Sequence, residues 1–203
     1  MYISKLNRNE KTEELHEFIR QNGFAILISN VEGKPWASHV PLLLSIDGKK
    51  LSGHVARGNK QWKEWNAETE ILAIFTGPHS YISSSWYDHE NVPTWNYIAV
   101  HVYGKLKILS DQELLQSLKE LTDTYEKSSG QPVTVEQMNP VFVKKEMLGI
   151  VGFDIDISHI EAAYKLSQNR DAKNHEAIIA QLEKRNDPAS NAIAQEMKKA
   201  GHS

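Results

Sequence analysis

The chain contains no cysteine, which removes disulfides, thiolate nucleophiles and Cys-ligated zinc or iron–sulfur sites. No uninterrupted apolar run approaches the roughly 20 residues that span a bilayer. The N-terminal MYISKLNRNEKTEELHEFIRQ has no apolar stretch of the signal-peptide kind, so the expectation is a cytoplasmic protein without membrane association. A surplus of positive charge is missing too. Lys and Arg total 23 against 26 Asp and Glu, a formal net charge of −3, so chain-wide attraction to nucleic acid is not expected. His39, His54, His79, His89 and His101 show no HExxH-like spacing, and no metal site is predicted. SSSWYDHE has serines beside a histidine but no GxSxG elbow, so no catalytic triad is assigned.

What is present describes an ordinary globular chain: 203 residues, 40% hydrophobic and 24% charged. That length suits one large domain, or one domain with a small appendage. Leu15, Phe18 and Ile19 share a helical face that Asn22-Gly23 terminates. Strands are expected at 24–29, 36–46 and 51–56, joined by the turns NVEGKP and DGKK. A short polar helix is expected near Lys60–Asn66, then strands at 71–77, 80–84 and 92–104. Residues 111–127 carry the stripe Leu114, Leu115, Leu118 and Leu121, with Asp111 as a possible cap. SSGQPVTVEQMNP reads as loop, and 149–167 returns to strand. Asp187-Pro188 starts the second of two helices in the tail. Strands in hairpin succession with helices at the margins predict a mostly β fold, an antiparallel barrel with flanking helices. The expected division is a barrel domain over 1–170 and a C-terminal helical extension over 171–203.

Two stretches hold chemistry. GHVARGNKQW turns from strand to helix through Arg57, Gly58, Asn59 and Lys60, offering backbone donors and positive charge to an anion such as phosphate. A plain solvated loop explains the same residues. GPHSYISSSWYDHENVPTWNY holds Tyr81, Trp86, Tyr87, Trp95 and Tyr97 among serines and Asn96. Aromatic bodies with polar tips serve a site for a flat ligand, and they serve a subunit interface equally. The tail loosely follows a helix-turn-helix that would present Ser190, Asn191 and Gln195. However, residues 170–203 carry six Lys and Arg against five acids, a thin surplus for holding DNA.

SHVPLLL, GHVARGNKQW, GPHSYISSSWY, VPTWNYIAVHVYG and YKLSQNR, in that order over about residues 24–170, resemble the PaiB-type negative transcriptional regulators. That family is named for repression of protease synthase and sporulation and is grouped with FMN-binding proteins. The resemblance implies an antiparallel split β-barrel of the pyridoxamine-phosphate-oxidase-like, FMN-binding kind, forming a homodimer with FMN between the subunits. Haem is the second cofactor candidate. It further implies that His39, Val40, Pro41 and Leu42 line the isoalloxazine, with His54, Ala56, Arg57, Asn59 and Lys60 by the ribityl phosphate. Thr94, Trp95 and Asn96 would close the site, with Lys165, Gln168, Asn169 and Arg170 nearby. The chain departs from the family pattern at Gly58-Asn59-Lys60, where Ala-Asn-Pro is more common, and at Ser84, where a proline usually follows the YIS serine. A regulator is the function implied. A flavin reductase or oxidase of a small substrate is the alternative, and an interaction module with an empty pocket is a third. Whether the chain is an enzyme is left open.

Overall fold

A computed structural model describes residues 1–201. After the helix α1 (Thr12–Gln21), strand β1 (Phe24–Val31) and strand β2 (Lys34–Leu44) form a hairpin whose reversal uses only Glu32 and Gly33. Both have positive φ, 52° and 76°, the pair of left-handed residues that matches the twist of two antiparallel strands. The ladder therefore continues to Val31↔Lys34, and the turn is shorter than the NVEGKP expected from sequence. Pro41, which lacks an N–H, faces Phe24 where the β1 ladder ends. β2 then pairs from Leu42 onward with β3 (Lys50–Ala56). The proline sits where β2 changes partners, as its missing donor requires.

The polar helix expected at 60–66 is a single 3-10 turn, Lys60–Glu64. β4 (Glu70–Ile82) runs unbroken through Gly77 and Pro78, where two strands were expected. The Phe18 ring covers Gly77 so closely that a Cβ there would lie 2.7 Å from it; this glycine makes room for a side chain and does not end the strand. β5 (Thr94–Ile108) leads into α2 (Asp111–Glu126). The cap of α2 is Ser110, one residue before Asp111: its hydroxyl accepts from Glu113 N while Glu113 reaches back to the Ser110 backbone. α3 (Pro140–Met147), capped by Asn139, was not expected. Its apolar residues Val141 and Phe142 are exposed, so no buried stripe announces it. β6 (Ile150–Lys165) is followed by α4 (Ala172–Arg185) and α5 (Pro188–Ala200).

The sheet order is β1-β2-β3-β6-β5-β4, closing as a barrel through β1 and β4. The β1–β2, β1–β4, β2–β3 and β3–β6 ladders are all antiparallel. The predicted antiparallel barrel with flanking helices is the observed fold, although hairpin succession is broken where β6 enters between β3 and β5. Two compact units divide the chain. One comprises residues 1–18, 75–101 and the chain from Glu161 onward. Its interior includes Phe75, Ile82, Ile178, Leu182, Ile193 and Met197, all fully buried. The other comprises residues 19–74 and 102–160, with Leu27, Leu42, Leu51 and Ile155 inside and Trp65 set edge-on to Phe153 at 5.0 Å.

Candidate functional site

The residues singled out in the sequence fall into two groups, one in each unit. In the unit of residues 19–74 and 102–160, alternation along β2 buries Val40 and Leu42 and leaves His39 exposed and Pro41 half-buried. The His39 ring lies 6.2 Å from that of Phe24, nearly parallel to it, which makes an exposed flat surface. On β3, His54 is half-buried and Ala56 exposed; burial pushes the His54 pKa down, favouring the neutral imidazole.

The turn after β3 is firmly built. Arg57 donates from Nε to Leu148 O at 2.7 Å and from Nη2 to Ile150 O at 2.8 Å, and its guanidinium lies over Trp62. Asn59 donates to Ser38 Oγ at 2.7 Å and accepts from Gln61 N at 3.0 Å. Gln61 is buried and ties the turn to β1 through Leu27 O and Ser29 Oγ. Of the five residues expected beside the phosphate, His54, Ala56, Arg57, Asn59 and Lys60, Arg57 and Asn59 are thus largely occupied in shaping the turn. Lys60 is exposed and held by no carboxylate among the described residues; Arg57 is exposed as well but is held by its two carbonyl bonds.

In the other unit, β5 opens with Thr94, Trp95, Asn96 and Tyr97, whose exposure alternates. Trp95 is 53% exposed and stands beside Tyr81 at 5.8 Å, edge-on, and His79 at 6.0 Å. Asn96 points the opposite way and is fully buried. Its Oδ1 accepts from Ser167 Oγ at 3.0 Å and its Nδ2 donates to Met197 Sδ at 3.4 Å. It joins β5 to the turn after β6 and to α5, so the head of β5 does not turn four groups toward one ligand.

The YKLSQNR segment forms a tight turn at the end of β6. Leu166 N donates to Gln168 Oε1 at 2.8 Å, Gln168 Nε2 donates to Tyr164 O, and Arg170 N donates to Ser167 O at 3.1 Å. Ser167 takes the left-handed conformation this requires, with φ 60°. Lys165 Nζ donates to Thr94 Oγ1; burial first, then the nearby charge of Arg170, holds its pKa below the usual lysine value. The Arg170 guanidinium lies 5.0 Å from the centre of the Tyr87 ring. Asn169 is exposed. No sequence signal points to the Tyr87–Arg170 pairing, or to Arg185 stacked on Trp86 at 4.5 Å while donating to Tyr81 O. The aromatic run and the YKLSQNR motif were each visible, but which ring meets which cation is a tertiary fact.

Ser190 is buried and hydrogen-bonded to Ser80 Oγ at 3.0 Å, so it cannot meet a DNA groove; α4 and α5 form a hairpin with Asn186 in the left-handed turn. Among the described residues no group of His, Asp or Glu is placed to hold a metal, and no helix is long and apolar enough to cross a membrane.

A family model described as "Putative FMN-binding domain" matches residues 1–159. The chain is 42% identical over 199 residues to Protease synthase and sporulation protein PAI 2 of Bacillus subtilis (strain 168), covering 97% of this chain and 96% of that protein. Among solved structures, it is similar to the flavocytochrome Anf3 from Azotobacter vinelandii, with TM-score 0.65 and 14% identity over 86% of this chain and 78% of that one. It is also similar to the FAD and heme binding protein from Mycobacterium smegmatis, with TM-score 0.61 and 15% identity over 84% and 79%. At those identities the likeness is one of fold.

Proposed function

This chain belongs to the FMN-binding domain family, and from that premise we propose that it binds FMN, assembles as a homodimer and acts in the cytoplasm as a negative regulator of transcription. Protease synthesis and sporulation are the processes proposed, because the Bacillus subtilis relative carries them in its name. The observation that carries the flavin reading is the exposed Trp95 with Tyr81 and His79 on the outward face of β5. A flat aromatic surface open to solvent fits a flat aromatic ligand. The His39–Phe24 surface in the other unit has the same character, and the exposed Lys60 there offers charge to an anionic tail. The residues present therefore fit the cofactor.

Under this reading His39, Val40, Pro41 and Leu42 present the β2 surface to the isoalloxazine. His54 and Lys60 supply polar contacts and Ala56 an apolar one, while Arg57 and Asn59 act by holding the turn before Lys60. The second subunit of the proposed dimer contributes the rest: Trp95 binds directly, Asn96 supports it from the inward side, and Thr94 with Lys165, Gln168, Asn169 and Arg170 forms the turn there. FMN when bound supplies one- and two-electron redox chemistry; the chain's part is to orient it and shield it from water. Titration of the purified protein with FMN, followed by visible absorbance and flavin fluorescence, is expected to saturate at one flavin per subunit. Trp95→Ala is expected to weaken that binding at least tenfold, about 1.4 kcal/mol. No binding at high flavin concentration would overturn the reading.

One observation favours a flavin-dependent oxidoreductase as the second reading. Ser190 is buried, and Lys198, Lys199 and Lys173 are paired with Glu183, Glu196 and Asp88, which leaves the tail little charge to offer DNA. NADH oxidation by the flavin-loaded protein supports the oxidoreductase; a salt-dependent, sequence-selective DNA shift supports the regulator.

A further inference from the structure

We propose that Lys165 and Arg170 form an oxyanion subsite that takes a phosphate or carboxylate group. This deepens the flavin reading by assigning two residues a specific task, and it rests on that reading for only one of its two ligand sources. Several other cations in the same unit are accounted for. Lys173 is paired with Asp88, Lys198 with Glu183 and Lys199 with Glu196, while Arg185 donates to Ser80 Oγ and Tyr81 O. Lys165 and Arg170 break this pattern. Lys165 spends one of its three donors on Thr94 Oγ1 and meets no carboxylate among the described residues. Arg170 is held over the Tyr87 ring, yet its Nε is buried without a hydrogen-bond partner, and so is the Tyr87 hydroxyl.

Tyr87 itself is only 8% exposed, so the unpartnered hydroxyl belongs to a built interior. Buried donors are ordinarily satisfied, and two unsatisfied ones, the Tyr87 hydroxyl and the Nε of the Arg170 that lies over its ring, mark the place of an absent acceptor. The turn supplies rigidity. Gln168 is bonded at both ends of its amide to the Tyr164 and Leu166 backbone, and Asn96 fixes Ser167, so Arg170 is positioned before any ligand arrives. A planar guanidinium and an ammonium in such a setting suit the oxygens of a phosphate or carboxylate. The depressed pKa of Lys165, caused by burial and by the charge of Arg170, agrees with two like charges that lack a counterion.

The anion has two possible sources, the phosphate of FMN or a separate small anion, and one set of titrations distinguishes them. Wild type, Lys165→Gln and Arg170→Gln are each titrated with FMN and with riboflavin. Their melting temperatures are also compared in inorganic phosphate and in chloride at equal ionic strength. If the anion is the flavin's own, each variant loses about tenfold in FMN affinity while keeping its riboflavin affinity. If the anion is separate, the preference for FMN over riboflavin survives and the stabilisation by phosphate disappears. Either result supports the subsite. Variants that match wild type in both measurements overturn it, as does a wild type with neither FMN preference nor phosphate stabilisation. Should wild type bind no flavin at all, the flavin reading fails and the phosphate comparison alone decides the subsite. Arg170→Lys, which keeps the charge over Tyr87, is expected to retain part of the effect and guards against a folding defect in Arg170→Gln. Lys105→Gln removes a surface charge paired with Glu68 and is expected to behave as wild type; an equal loss there overturns the proposal.

Discussion

Asn96 offers the sharpest test of how the head of β5 is built. Replacing it with alanine removes the bond from Ser167 Oγ at 3.0 Å and the weaker one to Met197 Sδ. A net hydrogen bond is worth about 1 kcal/mol, and a buried hydroxyl left without a partner costs about 1–3 kcal/mol. Because Asn96 is fully buried, loss of its carboxamide also leaves a small void, about 1 kcal/mol more. The sum is about 3–5 kcal/mol, or roughly 6–20 °C in melting temperature for a chain of this size. The orphaned hydroxyl is a large part of that sum, so it is separable. In a Ser167→Ala background there is no hydroxyl to orphan, and Asn96→Ala is expected to cost about 1–2 kcal/mol less than in wild type. Urea unfolding of wild type, both single variants and the double variant measures this coupling. Additive costs would refute the reasoning, and a melting temperature for Asn96→Ala within about 1 °C of wild type would refute the burial argument with it.

Glu32 holds a positive φ of 52° in a two-residue hairpin, a conformation that asparagine tolerates and glutamate does not favour. Glu32→Asn is expected to raise stability by about 0.5–1 kcal/mol, read as a higher urea midpoint with an unchanged slope. Gly104→Ala would set a Cβ 2.3 Å from Asp156 O and 2.6 Å from Ile155 Cγ2. The first of these is backbone that cannot swing aside, so a loss of about 1–3 kcal/mol is expected in the same experiment. The His54 pKa is depressed by burial from its ordinary value near 6.5. Above that value neither folded nor unfolded chain binds a proton there. As pH falls through it the unfolded chain gains the proton first, so stability declines until the folded pKa is passed. Melting temperatures measured from pH 8 to pH 5 are expected to fall less steeply in His54→Gln than in wild type; identical slopes would remove His54 from the account.

The strand pattern was legible wherever one face of a strand is buried. Val40, Leu42 and Leu44 alternate in the sequence and are buried in the barrel, and Pro41 announced a break in its ladder that the change of partners confirms. Ile46 continues the same alternation on paper but is 99% exposed, because β2 ends at Leu44 and alternation has no meaning past the last ladder pair. The order of strands was not legible. Nothing local in GIVGFDIDISHI says that it pairs with β3, since a partner so distant in sequence is chosen by closure of the whole sheet. α3 was missed for a different reason. Its helix is specified by an Asn139 cap and Pro140 at the first turn, signals that are weak without a buried stripe to support them.

The candidate site shows the same division between what a pattern carries and what contact decides. VPTWNY places four hydrogen-bonding side chains in a row, and a row on paper suggests one surface. A strand of period two separates that row into two. Trp95 goes outward to Tyr81 and His79, whereas Asn96 goes inward to Ser167 and Met197. Thr94, on the Asn96 side, is reached by Lys165 from the end of β6. The polar residues of β5 therefore do two jobs. The inward one locks the YKLSQNR turn, and that turn in turn fixes Arg170 over Tyr87. The outward aromatic surface of Trp95, Tyr81 and His79 is held in place because the Asn96 side of the strand is spent on structure. Substitutions at Trp95 and Asn96, adjacent in sequence, should accordingly separate: the first in affinity, the second in stability.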